Sequence, residues 1–376
     1  MNRTRWHAPG EGGDSPVDRL LDVAESAVSV GVRELCCREG TDSRSFARAS
    51  ENLARSAQLY LSEETMRQVV ESEGKAVLAA GEDEQLEIDW CAADCKTTTP
   101  EGREVSRIYV SGDGVMVPMT THAEKLKRRA TVLKKRREKR SPGGVRRPRL
   151  RGVKRGADQR YKQFNVVAFY DQDQKHRLVS ATRKDHRGAR KLLRRGAARL
   201  RIRAAAESVG LIDGAPTLQR QFEPLKLTAL GLDFYHFGQH VHGGRRQTFG
   251  EEGPEGRTWA GEVLHTARHE GYEPLWDKLS DWRSGQRGKA KRKGADELLH
   301  YVAERRKMIN YAEFEKRGWH IGSGTIESMC KVTTLRIKGS GMRWDGDNAE
   351  AMMALEAMRQ SNQWDRYWAK AVYTNN

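Results

Sequence analysis

RIYVSGDGVMVPM, residues 107–119, is where the period of the chain changes. Upstream, apolar residues recur at helical spacing; here they alternate with polar ones, the two-residue period of a strand. The pattern predicts a strand, a turn at Gly112-Asp113-Gly114 and a second short apolar run. Asp113 then stands at a strand end between glycines, which let a ligand approach the backbone. Downstream, FNVVAFYD (164–171) and HRLVSATR (176–183) read as a hairpin-like strand pair around DQDQK. A basic helix follows from about 185 to 205. SVGLIDG (208–214) reads as a buried strand ending at Asp213, with TLQRQF as a helix after it, and KLTALGLDFYH (226–236) as a strand ending near Asp233. Strands interleaved with helices predict an α/β core. Asp113 and Asp213 fall at C-terminal strand ends, the edge where open α/β sheets bind ligands.

The region before this core reads as helical. Residues 17–34 carry an apolar stripe at Leu20, Leu21, Val23, Ala24, Ala27 and Val28. Two helices then follow in close succession, from about Ser45 to Leu59 and from an N-cap at Ser62, with Glu63 and Glu64 in the first turn and Gly74 as a stop. A short turn between two such helices fits a helix-turn-helix, whose second helix enters a DNA major groove. An ordinary helical hairpin fits the pattern too. The second helix is acidic, so base reading would be local, through Thr65, Arg67 and Gln68.

Between the first two core strands lies a basic tract. Residues 125–155 hold sixteen Lys/Arg against one acid, Glu138. Pro142, Gly143, Gly144 and Pro148 argue against one continuous helix, and the composition predicts a disordered arm that clamps phosphates. It lacks aromatics for stacking on single-stranded bases. From about 238 to 317 the pattern is helical again, with Trp259, Trp276, Trp282 and the basic loop RSGQRGKAKRKG (283–294).

That block leads into GWHIGSGTIESMCKVTTLRIKGSGMRW, 318–344. Gly322-Ser323-Gly324 releases a helix near Thr325, and Glu327 lies in its first turn, where the dipole favours a carboxylate. Lys331, Thr334 and Lys338 share its face at helical spacing. A lone glutamate there ordinarily supports its helix. With Asp113 and Asp213, however, it completes three hard oxygen ligands from separate elements, the set that divalent metal ions need for phosphoryl transfer.

Length and composition agree. The 376 residues are enough for two or three domains; 68 Lys+Arg against 51 Asp+Glu leave a net charge of +17. Such a balance fits a polyanionic partner, most often nucleic acid. No apolar run approaches the roughly 18 residues of a membrane span, and MNRTRWHAPGEGGDSP lacks the apolar core of a secretory signal. Five scattered cysteines suit a reducing cytosol. Cys91 and Cys95 have half of a zinc-site spacing but no second pair at a finger-like distance.

The motifs GDGVMVP (112–118), LIDGAP (211–216), LDFYH (232–236), ERRKMINYAEFEKRGWHIGSGTIES (304–328) and RIKGSGMRW (336–344) together resemble the bacterial insertion-sequence transposases of the DDE class, in the group related to the Mutator superfamily. The resemblance implies an α/β fold with an RNase H-like core and a helical insertion domain, preceded by a helical N-terminal domain. In boundaries, that is a helical N-terminal region at 1–100, a first core part at 101–237 with the basic insertion 125–155, a helical insertion at 238–318, and final core helices and tail at 319–376. It also implies cleavage and strand transfer of double-stranded DNA with Mg²⁺, or Mn²⁺ in its place, by a homo-oligomer in the bacterial cytoplasm at the nucleoid. By motif, the acids and metal ligands are Asp113, Asp213 and Glu327, with Asp233 and His236 as an accessory Asp-x-x-His pair. Asp233 competes for the second-acid role; Gly214 favours Asp213 by leaving room, while Phe234 and Tyr235 crowd Asp233. His236 is either a structural donor or a direct participant. Lys331, Arg336, Lys338, Arg343, Lys134, Lys135, Arg136 and Arg137 are candidates for contacting DNA. A structure-specific nuclease on the same fold and a catalytically inactive DNA-binding relative are the alternatives.

Overall fold

The structure, a computed structural model, describes residues 28–139, 148–251 and 253–373. The elements begin with α1 (Val30–Asp42), α2 (Phe46–Ser56), α3 (Glu63–Glu82), β1 (Lys96–Thr98), β2 (Glu104–Pro118), α4 (His122–Glu138), β3 (Tyr161–Tyr170) and β4 (Arg177–Thr182). They continue with α5 (His186–Arg199), β5 (Glu207–Ile212), α6 (Pro216–Phe222), β6 (Ala229–Leu232), α7 (Phe234–Phe249), α8 (Pro254–His269) and α9 (Tyr272–Ser284). The last are α10 (Lys289–Glu304), α11 (Tyr311–Lys316), α12 (Gly324–Thr334), α13 (Gly346–Gln360) and α14 (Trp364–Tyr373). By packing, the chain divides into two units. The first takes residues up to 87, 115–164 and from 332 onward; the second takes 88–114 and 165–331.

In the first unit, Ser45 and Ser62 cap α2 and α3 as the sequence predicts, each accepting from a backbone amide at 3.0 Å. Most of the stripe at 17–27 lies outside the described residues. Gly74 is no stop: α3 runs eight residues past it, to Glu82. Its missing side chain lets α13 approach, since a Cβ there would meet the Ala351 carbonyl oxygen at 2.6 Å. Arg67 is bonded to Glu64 and Glu71, and Gln68 to Glu64, so both side chains are engaged within α3.

The basic tract also departs from expectation, because its first part is the helix α4. A reciprocal capping box between Thr121 and Glu124 starts it. Lys, Arg, Leu and Ala propagate helices well, and the prolines fall after its end. Residues 140–147 lie outside the described residues. The chain returns beside α4: Arg129 donates to the carbonyls of Leu150 and Arg151, and Arg136 to that of Pro148. No residue of α4 is buried, and Leu126, Val132 and Leu133 are exposed.

The second unit holds most of the sheet, ordered β4-β3-β2-β5-β6, with β1 antiparallel to β2 off its edge. β2, β5 and β6 are parallel, and β3 and β4 form the expected antiparallel pair. Gly112-Asp113-Gly114 is not a turn. Neither glycine has a left-handed φ, and β2 continues through them to Pro118. β6 is shorter than expected, ending at Leu232, and Phe234-Tyr235-His236 already belong to α7. Apolar residues of α7–α10, among them Phe237, Val241, Val263 and Leu298, join Ile108, Ile212 and Leu232 in one core.

Two smaller points follow. Cys95 is buried and its thiol points at the Cys91 carbonyl, 3.9 Å away; burial above all pushes its thiol up to about 12. Among the described residues, no group of three metal-capable side chains includes Cys91 or Cys95. No helix among them is long and apolar enough to cross a membrane.

Candidate active site

Sheet register places the aspartates. The β2–β5 ladder ends at Ser111 opposite Leu211, and the β5–β6 ladder ends at Ile212 opposite Leu232. Carried one or two residues further, the same register sets Asp113 level with Asp213, and Asp213 level with Asp233. Three carboxylates therefore stand at the ends of paired segments on three adjacent parallel strands, which lie about 4.8 Å apart.

Their surroundings differ. Asp113 and Asp213 are half-buried. Each is tied at one oxygen to a following amide, Asp113 to Gly114 at 2.6 Å and Asp213 to Ala215 at 2.8 Å. The Asp113 carboxyl is held above the usual range, first by burial and then by the charge of Asp213, while the Gly114 amide, His236 and the Cys330 thiol pull it back. Asp233 is only 1% exposed and caps α7. One of its oxygens accepts from the His236 amide at 2.7 Å and lies 3.1 Å from the His236 Nδ1; the other accepts from the Ser323 amide. Burial pushes the Asp233 carboxyl up, but the hydrogen bonds from Ser323 and His236 outweigh it and hold the group below its ordinary value.

Glu327 comes from α12. It is exposed in the first turn of α12, and the Ser323 hydroxyl donates to it at 3.2 Å. The ligand atoms of Asp233, His236 and Glu327 lie within 4.8 Å of one another. This trio, and not Asp113, Asp213 and Glu327, is the tight cluster among the described residues.

Several residues here were not legible as functional. Ser323 bridges Asp233 and Glu327 through its amide and its hydroxyl. Arg305, nearly buried at the end of α10, donates to the Gly214 carbonyl at 3.0 Å and lies 3.9 Å over the Tyr301 ring. Gly214 has φ +82°, and a Cβ there would strike Leu232 and Arg305 at under 3 Å. Glycine is required by that packing and that backbone. The only sequence signal for Arg305 was its place in the motif beginning at Glu304.

The basic candidates fare unevenly. Lys331 is exposed one turn beyond Glu327. Lys338 does not share that face, since α12 ends at Thr334, with Thr333 and Thr334 buried. Arg336 is no phosphate contact: it is 9% exposed, donates to the Gly40 carbonyl at 2.9 Å and lies over the Phe46 and Trp344 rings. Arg343 is paired with Glu124. On α4, Lys134, Lys135 and Arg137 are exposed, while Arg136 is half-buried and turned to Pro148. All of these but Lys331 belong to the first unit.

No protein-family model and no curated protein matches the chain. Among solved structures it is similar to the Drosophila P element transposase strand transfer complex, at 10% identity and a TM-score of 0.32, over 92% of this chain and 81% of that one. At that identity and score, the reading rests on the residues themselves.

Proposed function

We propose that the chain is a DDE-class DNA transposase of the Mutator-related group, built on an RNase H-like core, which cleaves DNA at element ends and joins the released 3′-OH to target DNA. The observation that carries it is the register that levels Asp113 with Asp213 just past the paired segments of neighbouring strands, with Glu327 of α12 clustered on Asp233 and His236 of the next strand over. The donor set fits Mg²⁺ or Mn²⁺. It is all hard oxygen, and the raised Asp113 carboxyl marks a crowded anionic site that a cation relieves. Asp113, Asp213 and Glu327 would hold the metal, whose charge when bound offsets the negative charge growing on the attacking and leaving oxygens. Asp233 and Ser323 hold the approach to α12 in place, and His236 turns its ring toward Asp233. The exposed cations of α4 and its return contact duplex backbone, and α2–α3 select the element's ends. The active form is a homo-oligomer on paired ends.

The deciding experiment incubates the full chain with terminal-repeat duplex, target plasmid and Mg²⁺. Joined product supports the proposal. Cutting without joining supports a nuclease, and binding alone an inactive relative.

A further inference from the structure

Arg107, Tyr109, Ser111 and Asp113 are alternate residues of β2, so they share one face of the strand. Arg107, Tyr109 and Asp113 meet the segment that leads into and forms α12, and Ser111 reaches toward it through Tyr170 of β3. Arg107 is 1% exposed; it donates to the carbonyls of Arg317 and Gly318, both at 2.9 Å, to Glu207 at 2.6 Å and to Gln172 at 3.1 Å. Glu207 also accepts from the Trp319 indole at 2.9 Å. One step along, the Tyr109 hydroxyl donates to Gln172 at 2.7 Å and accepts from the His320 amide at 3.2 Å, while the two rings stack at 4.4 Å. The Gln172 amide lies 2.9 Å from the His320 Nε2. Burial first, and the charge of Arg107 second, hold His320 below its ordinary range; as a neutral ring it accepts from that amide. Ser111 meets the Tyr170 hydroxyl at 3.1 Å, and Tyr170 bonds in turn to Thr325. Last, Asp113 takes a hydrogen bond from Cys330.

We propose that this face of β2 is a polar zipper whose positioning residues, Arg107 and Tyr109 with His320, fix where Glu327 stands relative to Asp113. Steps of two along the strand are matched by 317–318, 320, 325 and 330 in the opposing segment, so one rigid strand dictates the position of both acids. A buried arginine is a costly arrangement unless its donors are satisfied, and here four of its five N–H groups find acceptors. The inference rests on Glu327 being a metal-binding acid, since outer partners of ligands govern metal affinity.

The test uses the full-length chain carrying Arg107→Lys or Tyr109→Phe, with Leu193→Ala as a core-destabilised control. Two readouts are taken: hydrogen exchange of amides 318–327 without metal, and Mn²⁺ binding by calorimetry. Both zipper variants are expected to exchange faster in 318–327 and to bind Mn²⁺ about tenfold more weakly, while Leu193→Ala lowers the melting temperature and moves neither. Wild-type exchange across 318–327 in both zipper variants overturns the zipper whether or not metal binds. Unchanged Mn²⁺ affinity in them, against a wild type that binds, overturns it too. A wild type that binds no Mn²⁺ sinks the metal reading instead, and the exchange result alone then decides the zipper.

Discussion

Asp113→Asn should stabilise the metal-free protein while abolishing cleavage. The carboxyl is half-buried and stands level with Asp213 on a strand about 4.8 Å away. Burial and the Asp213 charge both raise it. At an effective dielectric of about 20, two unit charges several ångströms apart repel by on the order of 2 kcal/mol. Asparagine keeps the shape and the acceptor for the Gly114 amide but removes that repulsion. At neutral pH in EDTA, the melting temperature should therefore rise by about 2–3 °C. Added Mn²⁺ should raise the melting temperature of the wild type and raise that of the variant much less, because the anionic pair is gone. Differential scanning calorimetry with and without Mn²⁺, beside a cleavage assay on terminal-repeat duplex, measures both effects. A metal-free variant that melts below the wild type would refute the repulsion argument. Retained cleavage would refute the assignment of Asp113.

Asp213→Cys should lose Mg²⁺-dependent cleavage and recover part of it with Mn²⁺, whereas Asp233→Cys should recover none, because its oxygens serve chain amides; rescue of the second variant alone would reverse the assignment. Arg336→Ala should destabilise the protein by roughly 3 kcal/mol, through a lost charged hydrogen bond to Gly40 and lost stacking on Phe46 and Trp344; urea melts and duplex titrations should show that loss with unchanged DNA affinity. Replacing Lys134, Lys135 and Arg137 by serine should reduce the slope of log affinity against log salt by up to about 3 on any duplex, and an unchanged slope would mean this face does not meet DNA. Burial raises the Glu356 carboxyl to about 7, against its ordinary 4.5. A raised carboxyl disfavours the charged fold, so that cost is absent near pH 4 and complete above pH 7; Glu356→Gln should match the wild type in acid and gain roughly 3 kcal/mol at pH 8, as urea melts across pH would show.

The strands were legible because alternation is a local property. The stretch from Arg107 carried it, and the other core strands showed as short apolar runs bounded by turn residues, although the three-residue β1 was too short to show either. What local pattern cannot carry is an environment made by distant residues. Gly112-Asp113-Gly114 has turn composition, yet it lies within the 15-residue strand β2 and stays extended. Arg336 sat in a basic motif and read as a phosphate contact, but its partners Gly40 and Phe46 lie nearly 300 positions earlier. The basic tract was judged by its prolines and glycines as one segment, whereas its helix stops before they begin.

The choice between Asp213 and Asp233 shows where composition stops and geometry takes over. Both end apolar strands, both are in register, and both precede a helix. Crowding by Phe234 and Tyr235 was the sequence argument against Asp233, and it fails, since Tyr235 is 65% exposed and turned away with its helix. The distinction lies in hydrogen-bond donors. Asp233 takes one amide on each oxygen, from His236 and Ser323, and its first oxygen also faces the His236 ring, so chain donors already hold both oxygens. Asp213 takes one amide on one oxygen, and among the described residues no hydrogen bond is made to the other. Asp233 is thereby suited to holding α7 and the entry to α12 together, and Asp213 to giving up its charge to a cation. On the proposed reading, the same residue type on adjacent strands takes two roles according to the N–H groups that reach it.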